Sequence, residues 1–196
     1  MKLIKCRGLI LILISLALIF ALGVMTSIAQ EKEIRDFLKS KVTTSGAQAT
    51  AGTLKLRLFN HVTKAETSPI PDVEGHVVIL NIREGVIILE NGELGWLKGT
   101  LINDLIRGVG TIDIYPTFTF QDGSTITAHA KGTVEANPQG LPSTAKFAGD
   151  IIHGMGRFQG IKGSVTTSAK LLPPEKGELG PKALGECTLV YTLPNK

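Results

Sequence analysis

The sequence predicts an all-β fold of one domain, and three observations lead to this prediction. Apolar and polar residues alternate in short runs over residues 53–196, which is the period of half-buried strands. Two dipeptides, Asn91-Gly92 and Asp122-Gly123, are strong signals for hairpin turns. No convincing amphipathic helix pattern lies among these runs, so the sequence favours an antiparallel barrel or sandwich.

The folded part of the chain is close to electrical neutrality. The 196 residues include 21 Lys and Arg and 17 Asp and Glu, a formal net charge of +4. Residues 1–29 contain Lys2, Lys5 and Arg7 and no acidic residue, so the other 167 residues have a net charge of +1. A nucleic-acid binder needs a basic face, and this class is therefore not predicted.

Residues 1–29 have the pattern of a secretory signal peptide. A basic start is followed by an apolar run at residues 9–25 and by the small residues Ser27 and Ala29. We expect cleavage after Ala29 and export of the protein, either secreted or periplasmic. The uncharged stretch at residues 8–30 is long enough to span a bilayer, so an uncleaved leader acting as the membrane contact is the alternative.

The segment after the leader is predicted to be a polar N-terminal arm, residues 30–52. Its first part is charged and its second part is small and polar, as in a linker. The β-domain is then predicted to span residues 53–196. Of the two cysteines, only Cys187 follows the leader, and we expect it to be a buried core residue. An intermolecular disulfide is the alternative.

Four strands are predicted in the first half of the β-domain. Leu54, Leu56 and Leu58 alternate with charged residues and are expected to face the core. Arg83, Glu84 and Gly85 are predicted to form a tight turn between the second and third strands. The four predicted strands are residues 54–62, 76–82, 86–90 and 95–104.

The second half alternates more cleanly and brings the total to eight or nine strands. The predicted strands are residues 112–120, 124–136, 145–154, 156–172 and 183–193. The inward-facing set predicted from their alternation is Ile112, Ile114, Phe118, Phe120, Ile126, Ala128 and Ala130.

Two glycine-containing motifs in residues 95–193 carry a resemblance to a known family. One is Asp122-Gly123-Ser124 between an aromatic strand and a threonine-rich strand, and the other is GMGRFQGIKGS at residues 154–164. With these motifs the sequence resembles the allene oxide cyclase barrel-like proteins, a superfamily that includes the plant dirigent proteins.

The resemblance implies a single antiparallel eight-stranded β-barrel with an apolar cavity. In the plant members this cavity shapes the cyclisation or coupling of a reactive apolar intermediate. No local motif here matches their functional carboxylates, so none is carried over to this chain. Lipocalins also have eight strands, but their Gly-x-Trp lies on the first strand, whereas Gly95-Trp96 stands in the middle of this chain.

The aromatic residues supply the candidate ligand-binding positions. Phe118, Phe120 and Phe147 are predicted to line the cavity, and Trp96 is predicted to lie near one end of the barrel. Binding pockets of this kind are mostly apolar with few polar anchors. A barrel filled by its own side chains is the alternative.

His153 is the weak candidate for a catalytic residue. Alternation places it on the face of Phe147 and Ile151, which would put it at the mouth of a cavity. It could orient a ligand or act as an acid or base, and a rim histidine bonded to the backbone is the alternative. The other histidines lack ligand spacing, and the glycines at 154, 156 and 160 lack a nucleotide-loop context. No metal or cofactor is predicted.

Three functional hypotheses follow from the sequence. The first is an exported barrel that binds a small apolar molecule. The second is an isomerase or cyclase-like enzyme that steers a reactive apolar substrate. The third is a non-catalytic cell-envelope protein that contacts a partner through a strand edge or the arm at residues 30–52. An oligomer is compatible with each hypothesis.

Overall fold

The computed structural model describes residues 49–136 and 143–195. The predictions for the leader, for Cys6 and for residues 30–48 of the arm lie outside the described residues. Among the residues that are described, no helix is long and apolar enough to cross a membrane.

Eight strands and one turn of 3-10 helix make up the regular structure of the described residues. The strands are β1 (Thr50–Pro69), β2 (His76–Leu89), β3 (Leu94–Ile106), β4 (Val109–Phe120), β5 (Thr125–Glu135), β6 (Ser143–Met155), β7 (Lys162–Leu172) and β8 (Lys182–Leu193). The 3-10 turn is Gly156–Phe158, between β6 and β7.

The strands form one closed antiparallel barrel. Each strand pairs with the next along the chain, and β8 pairs with β1 to close the sheet. The predicted all-β, eight-stranded antiparallel barrel is therefore confirmed. Within the described residues every strand has two hydrogen-bonded neighbours, so the strand-edge route of the interaction hypothesis has no edge to use.

The predicted turn at Arg83–Gly85 is wrong, because β2 runs through these residues without a break. The two short strands expected on either side of it are one strand, which settles the count at eight. Gly85 marks a close approach of two strands and not a turn. A Cβ there would lie 2.0 Å from the carbonyl oxygen of Phe59 on β1. Only glycine allows this approach. Because β2 is unbroken, Arg83 lies in the interior of the strand and not in a turn.

Strand β1 is longer than the sequence predicts at both ends. It begins at Thr50 and continues to Pro69, through residues that were expected to form a loop. The pairing of β1 with β2 shifts by one residue between Val62 and Lys64. This bulge allows the strand to continue although its alternation is interrupted there.

One end of the barrel is filled by aromatic and aliphatic side chains. The ring centroids of Phe120 and Phe158 lie 4.8 Å apart, and Tyr191 packs edge-on against Phe158 at 6.0 Å. The fully buried Ile87 and Leu189 complete this packing. The inward-facing residues predicted for the fourth and fifth strands are all buried as expected.

The two motifs that carry the family resemblance meet at this filled end. The hydroxyl of Ser124 accepts a hydrogen bond from the Arg157 backbone N–H and donates one to Asp122, both at 3.0 Å. Gly156 adopts a φ of +65°, and a Cβ there would lie 2.4 Å from the Ser124 hydroxyl oxygen. The glycine therefore lets the 3-10 turn fold Phe158 into the barrel end.

Candidate functional site

The other half of the barrel encloses a cavity of about 460 Å³. All eight strands contribute to it, and β3 and β4 line it over most of their inward faces. The β7–β8 loop lies across its mouth and contributes Pro173, Pro174 and Pro181 to the lining. The barrel is thus neither fully hollow nor fully filled, since each alternative describes one half of it.

One wall of the cavity is mostly apolar, with the hydroxyls of Ser143 and Thr167 as its polar groups. Phe118 on β4 and Phe147 on β6 both line the cavity, as do small and branched residues of the neighbouring strands. Phe118 is fully buried, whereas Phe147 is half-buried and packs against the core. The other apolar residues on this side are Ile112, Ile114, Val134, Ala145, Ala169, Leu171 and Ala183.

The opposite wall, on β1 to β3, contains a cluster of four buried polar side chains. They are Asn60, Asn81, Arg83 and Asn103. We call these four residues the polar wall. They lie on three adjacent strands, among apolar lining residues of the same strands such as Leu97 and Leu101. The charged group and the three amides of the lining are therefore all on one side of the cavity.

Arg83 is the only ionisable side chain among the described residues that line the cavity. Its Nε donates to the Asn60 side-chain oxygen at 2.6 Å, and its Nη2 donates to the Pro181 carbonyl at 2.5 Å. Burial lowers the pKa of Arg83 to about 10, which leaves the guanidinium charged at neutral pH. The cavity therefore contains one positive charge.

The asparagines of the polar wall are satisfied to different degrees. Asn103 donates to the Ile79 carbonyl at 3.3 Å. The side-chain oxygen of Asn81 is fully buried and has no hydrogen-bond partner among the described residues. A buried acceptor without a partner is costly, and it is uncommon outside functional positions.

The β7–β8 loop is fixed at the cavity mouth by charged groups. Lys182 at the start of β8 contacts Glu175 at 2.8 Å and Glu178 at 2.9 Å. Hydrogen bonds to Glu175 and Glu178 raise the pKa of Lys182, while the Glu175 backbone N–H lowers the pKa of Glu178. The Arg83–Pro181 hydrogen bond joins the same loop to the cavity interior.

The structure separates the four residues predicted to bind ligand. Phe118 and Phe147 line the cavity. Phe120 faces inward but packs against Phe158 at the filled end and is not part of the lining. Trp96 lies on the outer surface of β3, with 57% of its area exposed, because the alternation of this strand turns Leu97 inward instead. Contact of these four residues with a ligand stays a prediction.

His153 does not face the barrel interior, and the expected orientation is wrong. Ile151 is buried, but Ile152 and His153 are both exposed and Gly154 is buried again. The pairing of β5 with β6 shifts at this point, so Ile152 is an extra residue that breaks the alternation. His153 consequently lies on the outside, near the filled end and away from the cavity.

Sequence reasoning missed the polar wall. Residues 79, 81, 83, 85, 87 and 89 lie on one face of β2, and Ile87 and Leu89 are buried core residues. Continuing this period of two backward would have placed Asn81 and Arg83 inside. The assumed turn at Arg83 broke the pattern, since a charged residue beside glycine is typical of a surface turn.

A metal centre is not apparent in the part of the chain that the structure describes. No three His, Cys, Asp or Glu side chains come together there in a way that could hold a metal ion. Cys187 is buried, and burial raises the pKa of its thiol to about 11. It is therefore an unreactive core thiol at neutral pH.

Comparison with known proteins gives similarities of structure alone. No protein-family model matches the chain, and no curated protein matches it either. The pterocarpan synthase dirigent protein GePTS1 is 14% identical with a TM-score of 0.48, over 77% of this chain and 94% of that chain. The corresponding values for the pterocarpan synthase dirigent protein PsPTS1 are 13%, 0.47, 75% and 97%.

A conserved protein of unknown function from Rhodopseudomonas palustris is also similar in structure. It is 9% identical with a TM-score of 0.49, over 72% of this chain and 98% of that chain. Two of these three proteins are dirigent proteins, the group that the sequence resembles. The eight-stranded barrel implied by that resemblance is the fold of this chain.

Proposed function

We propose that this protein is an exported β-barrel protein that binds a small apolar molecule in its barrel cavity. The observation that carries the proposal is the cavity of about 460 Å³ in a barrel that its own side chains fill at one end only. Pockets for small organic molecules measure about 300–1,000 Å³ and are mostly apolar. Phe118 and Phe147 are the aromatic contacts we propose for the ligand.

The chemistry of the lining favours binding over proton-transfer catalysis. Among the described residues that line the cavity there is no Asp, Glu, His, Lys, Tyr or Cys. A general acid or base near neutral pH is drawn from these residue types, and arginine stays protonated. The isomerase hypothesis in its acid–base form therefore lacks support from the cavity.

Export is supported by the leader pattern of residues 1–29. The intact mass of the protein purified from a secreting host would show whether the chain begins at Gln30. The same sample, measured by native mass spectrometry before and after denaturation, would show whether a small molecule leaves on unfolding.

The test of the binding proposal uses two substitutions at adjacent positions of β3. Gly99 lines the cavity, and a Cβ there would meet Leu101 and Ile114 at ordinary contact distances of 3.4 and 3.6 Å. Gly99→Phe therefore projects a ring into the cavity. Thr100→Phe adds the same ring to the exposed outer face of the strand and serves as the matched control.

The readout is the fluorescence of the neutral apolar dye Nile red, titrated into each purified protein. We expect Gly99→Phe to weaken dye binding by about tenfold or more, because the ring occupies the volume that the dye needs. Thr100→Phe should bind as the unaltered protein does. Circular dichroism confirms that each variant is folded. Unchanged binding by a folded Gly99→Phe variant would contradict the proposal.

A further inference from the structure

The positive charge of Arg83 has no negative partner in the barrel. No Asp or Glu of the described residues lies within 4.0 Å of its guanidinium, and none lines the cavity. Only 8% of the residue is exposed, so its guanidinium is largely removed from bulk solvent. A buried charge is costly unless a partner of opposite charge compensates it.

The hydrogen bonds that Arg83 makes leave most of its donors available. The acceptors are a neutral amide oxygen of Asn60 and a backbone carbonyl of Pro181. A guanidinium has five N–H donors, so three have no partner among the described residues. Its structural role in holding the β7–β8 loop therefore accounts for part of its chemistry and leaves the charge uncompensated.

Asn81 provides an independent observation on the same wall. It precedes Arg83 by two residues on β2 and faces the same side of the strand. It is 8% exposed, it lines the cavity, and its side-chain oxygen has no partner among the described residues. Two neighbouring inward side chains thus keep unused hydrogen-bonding capacity of opposite kinds, since the Arg83 N–H groups donate and the Asn81 oxygen accepts. Only the Arg83 donors can serve an anionic group.

The geometry and the charge restrict the class of ligand. A planar guanidinium matches a carboxylate through two parallel hydrogen bonds. One positive charge is neutralised by one negative charge, whereas a dianionic phosphate would leave a buried negative charge without a partner. The apolar wall of Phe118 and Phe147 lies across the cavity and suits a hydrocarbon or aromatic body.

We propose that the cavity binds an apolar monocarboxylic acid as its anion, with the carboxylate on the Arg83 guanidinium. This inference rests on the proposed function, since it names the ligand class of the same cavity. The carboxylate takes the free N–H donors of Arg83, and the apolar body contacts the opposite wall.

The experiment compares decanoate with decan-1-ol, which has the same chain and no charge. Each is titrated by isothermal calorimetry into the unaltered protein and into Arg83→Met, which retains an unbranched apolar stem but has no charge. Arg57→Met is the matched control, because Arg57 lies on the exposed face of β1. The control removes the same charge from the outside of the barrel.

We expect the unaltered protein to prefer decanoate. Loss of a charge-assisted bidentate contact should weaken decanoate binding to Arg83→Met by about ten- to hundredfold. Decan-1-ol binding should change by less than about threefold, and Arg57→Met should behave as the unaltered protein. An unaltered protein that binds decan-1-ol at least as tightly as decanoate would overturn the inference.

A second variant keeps the test decisive where Arg83→Met does not fold. Asn81→Asp retains the shape of the side chain and places a carboxylate beside Arg83. An internal partner should compete with the ligand carboxylate and abolish the preference for decanoate, with decan-1-ol binding retained. A preference that survives in folded Asn81→Asp would count against the proposed contact.

The Nile red titration separates the two proposals. Dye binding without a preference for decanoate would refute the anion inference and leave the proposed function standing. Absence of binding by the dye and both decane derivatives would refute the proposed function, and the inference with it.

Discussion

Two glycines on paired strands should respond in opposite ways to the same added methyl group. Gly85 on β2 and Gly99 on β3 both face the barrel interior, close to Arg83. A Cβ at Gly85 would lie 2.0 Å from the Phe59 carbonyl oxygen. A Cβ at Gly99 would have no neighbour closer than 3.4 Å, because the cavity lies beside it.

The expected free energies of unfolding follow from these distances. At Gly85 the methyl carbon would have to move β1 by about 1 Å, and overpacking of this kind costs about 1–3 kcal/mol. We expect Gly85→Ala to lose about 3 kcal/mol, because the clash is with backbone and not with a flexible side chain. Gly99→Ala should gain roughly 1 kcal/mol from the lower entropy of its unfolded chain and from methyl burial.

The assay is urea unfolding followed by circular dichroism, with thermal unfolding as a second measure. For a domain of this size, about 1 kcal/mol corresponds to about 2–4 °C in Tm. Gly85→Ala should therefore melt about 10 °C lower and Gly99→Ala about 3 °C higher. Equal destabilisation of both variants would refute the reasoning, since it would mean that Gly99 does not adjoin open volume.

Two further predictions concern titratable groups. The ring of His76 contacts Asp72 at 2.5 Å and Asp104 at 2.7 Å, and these hydrogen bonds raise the pKa of His76. The stabilisation from these contacts should be complete below about pH 6.5 and lost as the pH rises through the raised pKa. The free energy of unfolding lost in His76→Gln should therefore be larger at about pH 5.5 than at about pH 9. A loss that does not depend on pH would contradict this prediction. Because burial raises the pKa of the Cys187 thiol, we expect it to stay unmodified by iodoacetamide in the native protein at about pH 8 and to react after denaturation. Mass spectrometry of the peptide that contains Cys187 detects the modification. Rapid labelling of the native protein would contradict the prediction, since it would show that the thiol is accessible.

Much of the fold could be predicted because half-buried strands have a simple period. The alternation in the fourth and fifth strands correctly placed Phe118, Ile126 and Ala130 inside. Asn91-Gly92 and Asp122-Gly123 each join two strands as predicted, and both turn glycines have a positive φ. These signals are local, so they survive without knowledge of the partner strand.

The site could not be predicted because it depends on features that are not local. The bulge at Ile152 turns His153 outward, and nothing in the local residue pattern marks the extra residue. Gly85 has the local sequence context of a turn residue. Glycine is required there because the carbonyl oxygen of Phe59, on a strand earlier in the chain, lies where a Cβ would be. The inward position of Arg83 is also unexpected from the sequence, because a buried charge is an exception to the usual pattern.

The division of the barrel into two ends explains why the family resemblance is informative about fold and not about ligand. The motifs that carry it, around Ser124 and Gly156, build the filled end through mutual hydrogen bonds. The resemblance spans residues 95–193, whereas Arg83 and Asn81 lie on β2, outside that range. Substitution of Arg83 therefore changes the charge of the cavity and leaves the Ser124 hydrogen bonds of the filled end in place. The residues that give the cavity its charge thus lie outside the part of the chain that carries the resemblance, and a shared fold is no basis for predicting them.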